Sequence, residues 1–153
     1  MSEGDLISKT HSPATRTSLV ADLRTLGLSE GMTVIVHSSL KKLGWVCGGE
    51  VAVVQALMDV LTEEGTLVMP THTANVSDPV NWENPPVPRD WLATIREEMP
   101  AFDPQVTPTF FMGRIVEAFR RFPGVVRSHH PTVSFAAWGK HKYEIVNKHS
   151  LDF

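Results

Sequence analysis

The sequence predicts an α/β protein, a layered α/β sandwich containing a βαβ unit, and three observations carry that prediction. Two short apolar runs, Thr33-Val34-Ile35-Val36 and Thr66-Leu67-Val68-Met69, have strand length and flank a segment of helical character. Residues 33–69 therefore spell strand, long loop, helix, strand, an arrangement that is ordinarily parallel and right-handed. Further helical stripes and a third strand-like run follow, so strands and helices alternate along the chain.

Each element has a local reason. Residues 1–14 are polar and read as a flexible N-terminal segment, with one domain over residues 15–153. From Thr15 to Leu26 the residues Leu19, Val20, Leu23 and Leu26 recur at helical spacing, and Gly27 is placed to end the helix in a left-handed conformation. Gly48-Gly49 opens an apolar helix over Val51 to Leu61, and Glu63-Glu64-Gly65 turns the chain into the second run, which Pro70 closes. The Pro-rich stretch from Asp78 to Pro88 reads as a loop. Pro88 to Met99 carries Trp91, Leu92 and Ile95 on one face, with Pro100 beyond the end. Met112, Ile115, Val116, Phe119 and Phe122 form another stripe, stopped by Pro123-Gly124. Val133 to Trp138 reads as a third strand and Lys140 to Asn147 as a terminal helix.

The 153 residues suffice for one domain with its own core. Apolar residues make up 42% and charged residues 20%, a globular balance. A net charge of −3 without a basic stripe leaves no electrostatic footprint for nucleic acid. The lone Cys47 excludes an internal disulfide, and with no zinc-like Cys/His spacing it points to a reducing compartment, the cytoplasm. The first eighteen residues lack the apolar region of a signal peptide, and no apolar stretch is long enough to span a bilayer.

In an α/β sandwich ligands bind beyond the carboxyl ends of strands, which directs attention to the loops after Val36 and Met69. His37-Ser38-Ser39-Leu40 places an imidazole and two hydroxyls there; the same serines read equally as a helix cap. The loop from Lys41 to Gly49 ends in two glycines whose N–H groups suit a phosphate, although neither a dinucleotide nor a P-loop fingerprint is present. Cys47, in the same loop, reads as an inert thiol. Thr71-His72-Thr73 follows the second strand, and His72 titrates near neutral pH, but a loop histidine is more often a polar surface residue. Between Ser77 and Glu98, Asp78, Glu83, Asp90, Glu97 and Glu98 outnumber Arg89 and Arg96, with Trp82 and Trp91 nearby. That composition suits a cationic sugar, or simply a solvated face. His129-His130 lacks a third ligand, so no metal is expected.

Taken together, several ordered blocks resemble the aminoglycoside 3-N-acetyltransferase family, in its N-terminal part only. They are Val36 through Leu40, Gly44-Trp45 with Gly48-Gly49, Gly65 through Thr71, and Asp78-Pro79 with Trp82. Further along come Thr107-Pro108-Thr109 with Met112-Gly113, Glu117 with Phe119-Arg120, Pro123-Gly124, Arg127-Ser128 with His130-Pro131, and Ser134 through Gly139. The resemblance implies an enzyme that acetylates the 3-amino group of a 2-deoxystreptamine antibiotic, or a related amine, from acetyl-coenzyme A and so confers resistance. It implies coenzyme A along His37, Ser38, Ser39, Leu40, Leu43 and Gly44 and along Thr107, Pro108, Thr109, Met112 and Gly113. The acceptor is expected near Thr71, His72, Asp78, Trp82 and Glu83, and a homodimer is compatible with the reading. Measured against the family, the chain stops at His149-Ser150-Leu151-Asp152-Phe153, before the His-x-x-Glu-type element that supplies the catalytic base. The domain is therefore expected to be truncated, either as a fragment or as a shortened gene product. No catalytic residue is assigned within it.

Overall fold

A computed structural model describes residues 3–151. Met1, Ser2, Asp152 and Phe153, the outer ends of the expected N-terminal segment and domain, lie outside the described residues. The elements are α1 (Glu3–Lys9), α2 (Arg16–Thr25), β1 (Thr33–Ile35), α3 (Gly49–Leu61), β2 (Thr66–Pro70), α4 (Leu92–Glu98), α5 (Arg114–Phe119), β3 (Val126–Arg127), β4 (Phe135–Gly139) and α6 (Lys142–Asn147). The expected βαβ unit is present: β1 and β2 pair in parallel, Thr33 opposite Thr66 and Ile35 opposite Val68, with α3 between them in sequence. β4 then pairs antiparallel with β2, from Thr66 opposite Gly139 to Pro70 opposite Phe135, and β3 pairs antiparallel with β4. The sheet order is β1-β2-β4-β3.

β2 is buried along its whole length, which explains why its sequence is continuously apolar instead of alternating. Its side chains nonetheless divide by the strand's period of two. Leu67 and Met69, with Ala136, join Val54, Leu57, Leu61, Ile115 and Phe119 in the larger core beneath α2, α3 and α5. Val68 and Ala137 face the other way, toward Val146 of α6. Helices thus cover both faces of the sheet, the sandwich that the alternating pattern predicts. Gly27 ends the α2 turn with φ of 95°, as its position suggested. α4 has no buried residue and Trp91 is exposed, so the stripe seen there does not enter the core. Among the described residues, no helix is long and apolar enough to cross a membrane.

Three features escaped the periodicity. α1 has only Leu6 and Ile7, side by side in an otherwise polar segment, too few for an apolar stripe to register. It is tied down by Thr10, whose hydroxyl donates to Leu6 O at 2.7 Å and accepts the Trp45 N–H at 2.9 Å. A parallel bridge joins Ala14 to Val46 just beyond it. β3 has two residues, too few for any pattern to register. Its second, Arg127, is the third feature, a guanidinium left only 8% exposed.

Arg127 gathers the molecule. Its Nε donates to Thr71 Oγ1 at 3.1 Å and Ser134 Oγ at 3.0 Å, its Nη2 to Thr71 O at 2.7 Å, and its Nη1 to Thr107 O at 2.6 Å. The guanidinium carbon sits 5.0 Å from the Phe102 ring centroid. One side chain therefore joins the end of β2, the start of β4 and the loop at residues 102–107. Burial, with the nearby charge of Arg120, pushes its pKa down to about 10 against the pull of Glu117, so it remains charged at neutral pH. Replacing it with methionine, which has similar length but no donors, orphans buried oxygens at roughly 1–3 kcal/mol each. Arg127→Met should cost at least about 3 kcal/mol in urea denaturation, and Arg127→Lys should recover only part, since one ammonium cannot span the same oxygens. A loss under about 1 kcal/mol would show that the loop does not depend on this residue.

Candidate functional site

A cleft of about 810 Å³ opens beyond the carboxyl end of β1, where an α/β sheet binds its ligands. The loop that follows β1 supplies one wall through Ser38, Ser39, Leu40, Lys41 and Gly44. The start of α3 supplies Gly48, Gly49, Glu50 and Val51. The opposite wall is Phe111, Met112, Gly113 and Arg114, and α1 closes one end with Glu3 and Leu6. Gly44 has φ of 79°, and a side chain there would stand 3.1 Å from Thr10 Oγ1, so glycine lets this loop turn against α1.

More than half of the residues expected along the cofactor line this cleft: Ser38, Ser39, Leu40, Gly44, Met112 and Gly113. His37 and Leu43 are exposed nearby but are not part of its lining, and neither are Thr107, Pro108 and Thr109. The last group instead anchors the far wall. Thr107 gives its carbonyl to Arg127, and Thr109 donates its N–H to Glu117 Oε1 at 2.6 Å. Ser38 Oγ is buried and has no hydrogen-bond partner among the described residues, a rare state for a hydroxyl in a folded protein.

Glu117 braces the far wall from within α5. It receives Arg120 Nε at 3.0 Å and Arg121 Nη2 at 3.2 Å besides the Thr109 N–H, while Arg120, 5% exposed, also reaches Gln105 O. Burial by itself would raise the Glu117 pKa. The Arg120 and Thr109 hydrogen bonds outweigh it and hold the carboxyl at about 2. The corner that Glu117 supports holds Phe111 with φ of 57° and Gly113 with φ of 87°.

The residues expected near the acceptor each have their own surroundings. Thr71 is fully buried, its hydroxyl 2.9 Å from Ser134 Oγ and bonded by Arg127, so its side chain is spent inside the protein. Asp78 caps a single 3-10 turn by accepting the Val80 N–H at 3.0 Å and pairs with Arg96 at 2.9 Å. Trp82 donates its indole N–H to Ser77 Oγ, and Glu83 is exposed. His72 lies at the exit of β2 with Nε2 buried and unpartnered, edge-on to Phe135 at 5.7 Å. Across Phe135, His149 stacks on His130 at 4.9 Å and meets Ser128 Oγ at 2.9 Å.

Burial first, then the charges of His37, His130 and His149, lower the His72 pKa; burial and His130 lower that of His149. His130 accepts the Val133 and Thr132 N–H groups on Nδ1, which puts its neutral-form proton on Nε2. This imidazole group was not visible in the sequence, because residues 72, 130 and 149 meet only through the β2–β4 pairing. Among the described residues, no group of three His, Cys, Asp or Glu is placed to hold a metal.

Fold and cleft together define an α/β protein with an open cleft at the carboxyl edge of its parallel strand pair. The chain belongs to the aminoglycoside 3-N-acetyltransferase family, whose model matches residues 35–153. The prophage-derived aminoglycoside N(3′)-acetyltransferase-like protein YokD of Bacillus subtilis is 56% identical over 149 residues, 97% of this chain and 55% of that protein. The crystal structure of YokD superposes with a TM-score of 0.96 over 98% of this chain and 56% of its own. Aminoglycoside N(3)-acetyltransferase IX of Micromonospora chalcea is 38% identical over 99% of this chain and 53% of its own. AAC-IIIb, solved as a binary complex with CoASH, is 33% identical with a TM-score of 0.77, covering 92% of this chain and 51% of its own. The chain spans about half the length of the curated relatives it matches.

The depressed Glu117 pKa fixes the sign of a pH dependence. A carboxyl whose pKa falls on folding contributes stability above its unfolded value, near 4.5, and loses it as pH drops toward about 2. Wild type and Glu117→Gln should therefore differ by about 2 kcal/mol at pH 7, the scale of a lost charge-assisted hydrogen bond, and converge below pH 4.5. Denaturation across that range reads the difference, and a gap independent of pH would refute the assignment.

Proposed function

We infer that the protein carrying this chain moves the acetyl group of acetyl-coenzyme A onto an aminoglycoside, at the 3-amino group of its 2-deoxystreptamine ring. Family membership supports the reaction class, and a relative solved with CoASH supports the cofactor. The observation that carries the reading on this chain is Ser38. A buried hydroxyl without a partner among the described residues, on the wall of a cleft beyond β1, awaits a polar group from a ligand. Ser39 and Lys41 offer further donors to phosphates and amides along the same cleft, while the Gly49 N–H is spent on Val46 O at 2.9 Å.

The chemistry balances without redox change. The ammonium of the acceptor gives up one proton, its nitrogen forms a bond to the thioester carbonyl carbon, and the carbon–sulfur bond breaks. A second nitrogen proton leaves as the amide forms, and the departing sulfur takes up one proton to become the thiol. A positioned base typically contributes about 10²–10⁴-fold to such a transfer. The product amide carries no charge, so the drug loses an electrostatic contact with the phosphates of ribosomal RNA, which is the basis of resistance. The compartment that fits these substrates is the cytoplasm. For the acceptor, Asp78, Trp82, Glu83 and His72 remain the proposed contacts, since the Thr71 hydroxyl is committed elsewhere.

Two measurements test the reading in the protein expressed from its complete reading frame. Ser38→Ala should weaken coenzyme A binding by about 1.5–3 kcal/mol, roughly ten- to a hundredfold in calorimetry. It should not destabilise the free protein, because the hydroxyl makes no internal bond. Unchanged affinity would remove Ser38 from the cofactor site. Glu83→Lys should raise KM for an aminoglycoside and leave KM for acetyl-coenzyme A nearly unchanged, whereas equal effects on both would signal a folding defect.

A further inference from the structure

Phe111 stands at the lip of the cleft in a conformation and an exposure that its residue type resists. It is 86% exposed, and its φ of 57° lies in the left-handed region that bulky side chains avoid. The corner around it is pinned on both sides. The Phe110 N–H donates to His72 O at 2.8 Å, the Thr109 N–H to Glu117 at 2.6 Å, and the Glu117 N–H to Gly113 O at 3.2 Å. Such over-determination is what keeps a strained residue in place, and strain held this way gathers at ligand sites. Glycine would satisfy the same backbone without strain, so the corner itself does not call for a phenyl ring. Nor does the core, since Phe111 lies outside both core clusters and its ring contact is with Phe110, centroids 4.3 Å apart and tilted by 60°.

We propose that Phe111 is a stacking platform for the planar heteroaromatic end of the cleft's ligand, the purine of coenzyme A. The proposal rests on the cofactor reading above and names which residue meets which part of that molecule. The cleft presents three chemistries: an open aromatic ring at Phe111, a cation at Lys41, and hydroxyls at Ser38 and Ser39. A ligand whose phosphates lie between a purine and an amide arm offers the complementary three. Base stacking on an aromatic side chain needs no hydrogen bonds to the ring and is lost when the ring is removed.

Calorimetry on the complete protein tests this with two probes, coenzyme A and 4′-phosphopantetheine, which lacks the adenosine end. Phe111→Gly should weaken coenzyme A on the order of ten- to a hundredfold and leave 4′-phosphopantetheine unchanged. Its thermal midpoint without ligand should hold or rise, because glycine relieves the left-handed strain. Phe111→Trp, which keeps a stacking face, should retain coenzyme A affinity. An equal loss for both probes, unchanged coenzyme A affinity, or a lowered midpoint showing that the ring is packed would each overturn the proposal. Wild-type protein that fails to bind coenzyme A would instead overturn the cofactor reading on which it rests.

Discussion

A buried cation with no carboxylate in its hydrogen bonds is the constraint around which this structure is arranged. Arg127 is held by neutral oxygens from Thr71, Ser134 and Thr107, each drawn from a different part of the chain. An ion at that depth is tolerated only when nearly every donor finds an acceptor, so the oxygens must arrive together or the site is costly. This makes the end of β2, the start of β4 and the 102–107 loop a single cooperative unit. The loop in turn leads into the Glu117-braced corner and the far wall of the cleft. The cleft's shape thus descends from an interaction that never touches it.

Regular elements with a strong apolar period were legible in the sequence, because the period is a direct consequence of which face is buried. Leu19 and Leu23 of α2, the α3 run and the continuous apolar stretch of β2 all register. Elements that owe their existence to partners did not. β3 is two residues long and exists because β4 pairs with it, and α1 is a seven-residue helix fastened by Thr10 and Trp45. Trp91 shows the opposite failure: it has helical spacing with Leu92 and Ile95, but α4 packs too shallowly to bury it.

The candidate site divides along the same line. Ser38, Ser39 and Leu40 follow a strand closely, and strand ends point at ligands, so adjacency in sequence located part of one wall, while Gly44 was named through the resemblance to the family. Met112 and Gly113 were named through the resemblance to the family, and they share a wall with Phe111, whose exposure and backbone strain have no sequence signature. Thr107 and Thr109 came with them but act on the wall from behind. Thr71 was singled out for lying beyond β2, yet its hydroxyl is used by Arg127 and Ser134. A hydroxyl at a strand end looks the same in sequence whether it faces a ligand or an internal arginine. The grouping of His72, His130 and His149 around Phe135 depends likewise on strand pairing that spacing along the chain does not reveal.

The charges of the cleft bear on how two unlike substrates would be kept apart. Within it, Arg114 pairs with Glu50 at 2.9 Å, and the remaining lining charges, Lys41 and Glu3, are opposite in sign. A cleft so balanced lacks a strong field to attract a polyanion, so the proposed recognition there would rest on hydrogen bonds and ring contact at short range. Residues 77–98 carry an excess of carboxylates, of which Asp78 is partly offset by Arg96. A net negative charge inside the cleft would repel phosphates, and a net positive charge in the acidic stretch would repel an ammonium-bearing sugar. Under the proposed function, an acidic excess confined to a segment that contributes nothing to the cleft lining would let each substrate meet its own electrostatics. The transferred acetyl group, which is uncharged, would then be the only part that both environments have to accommodate.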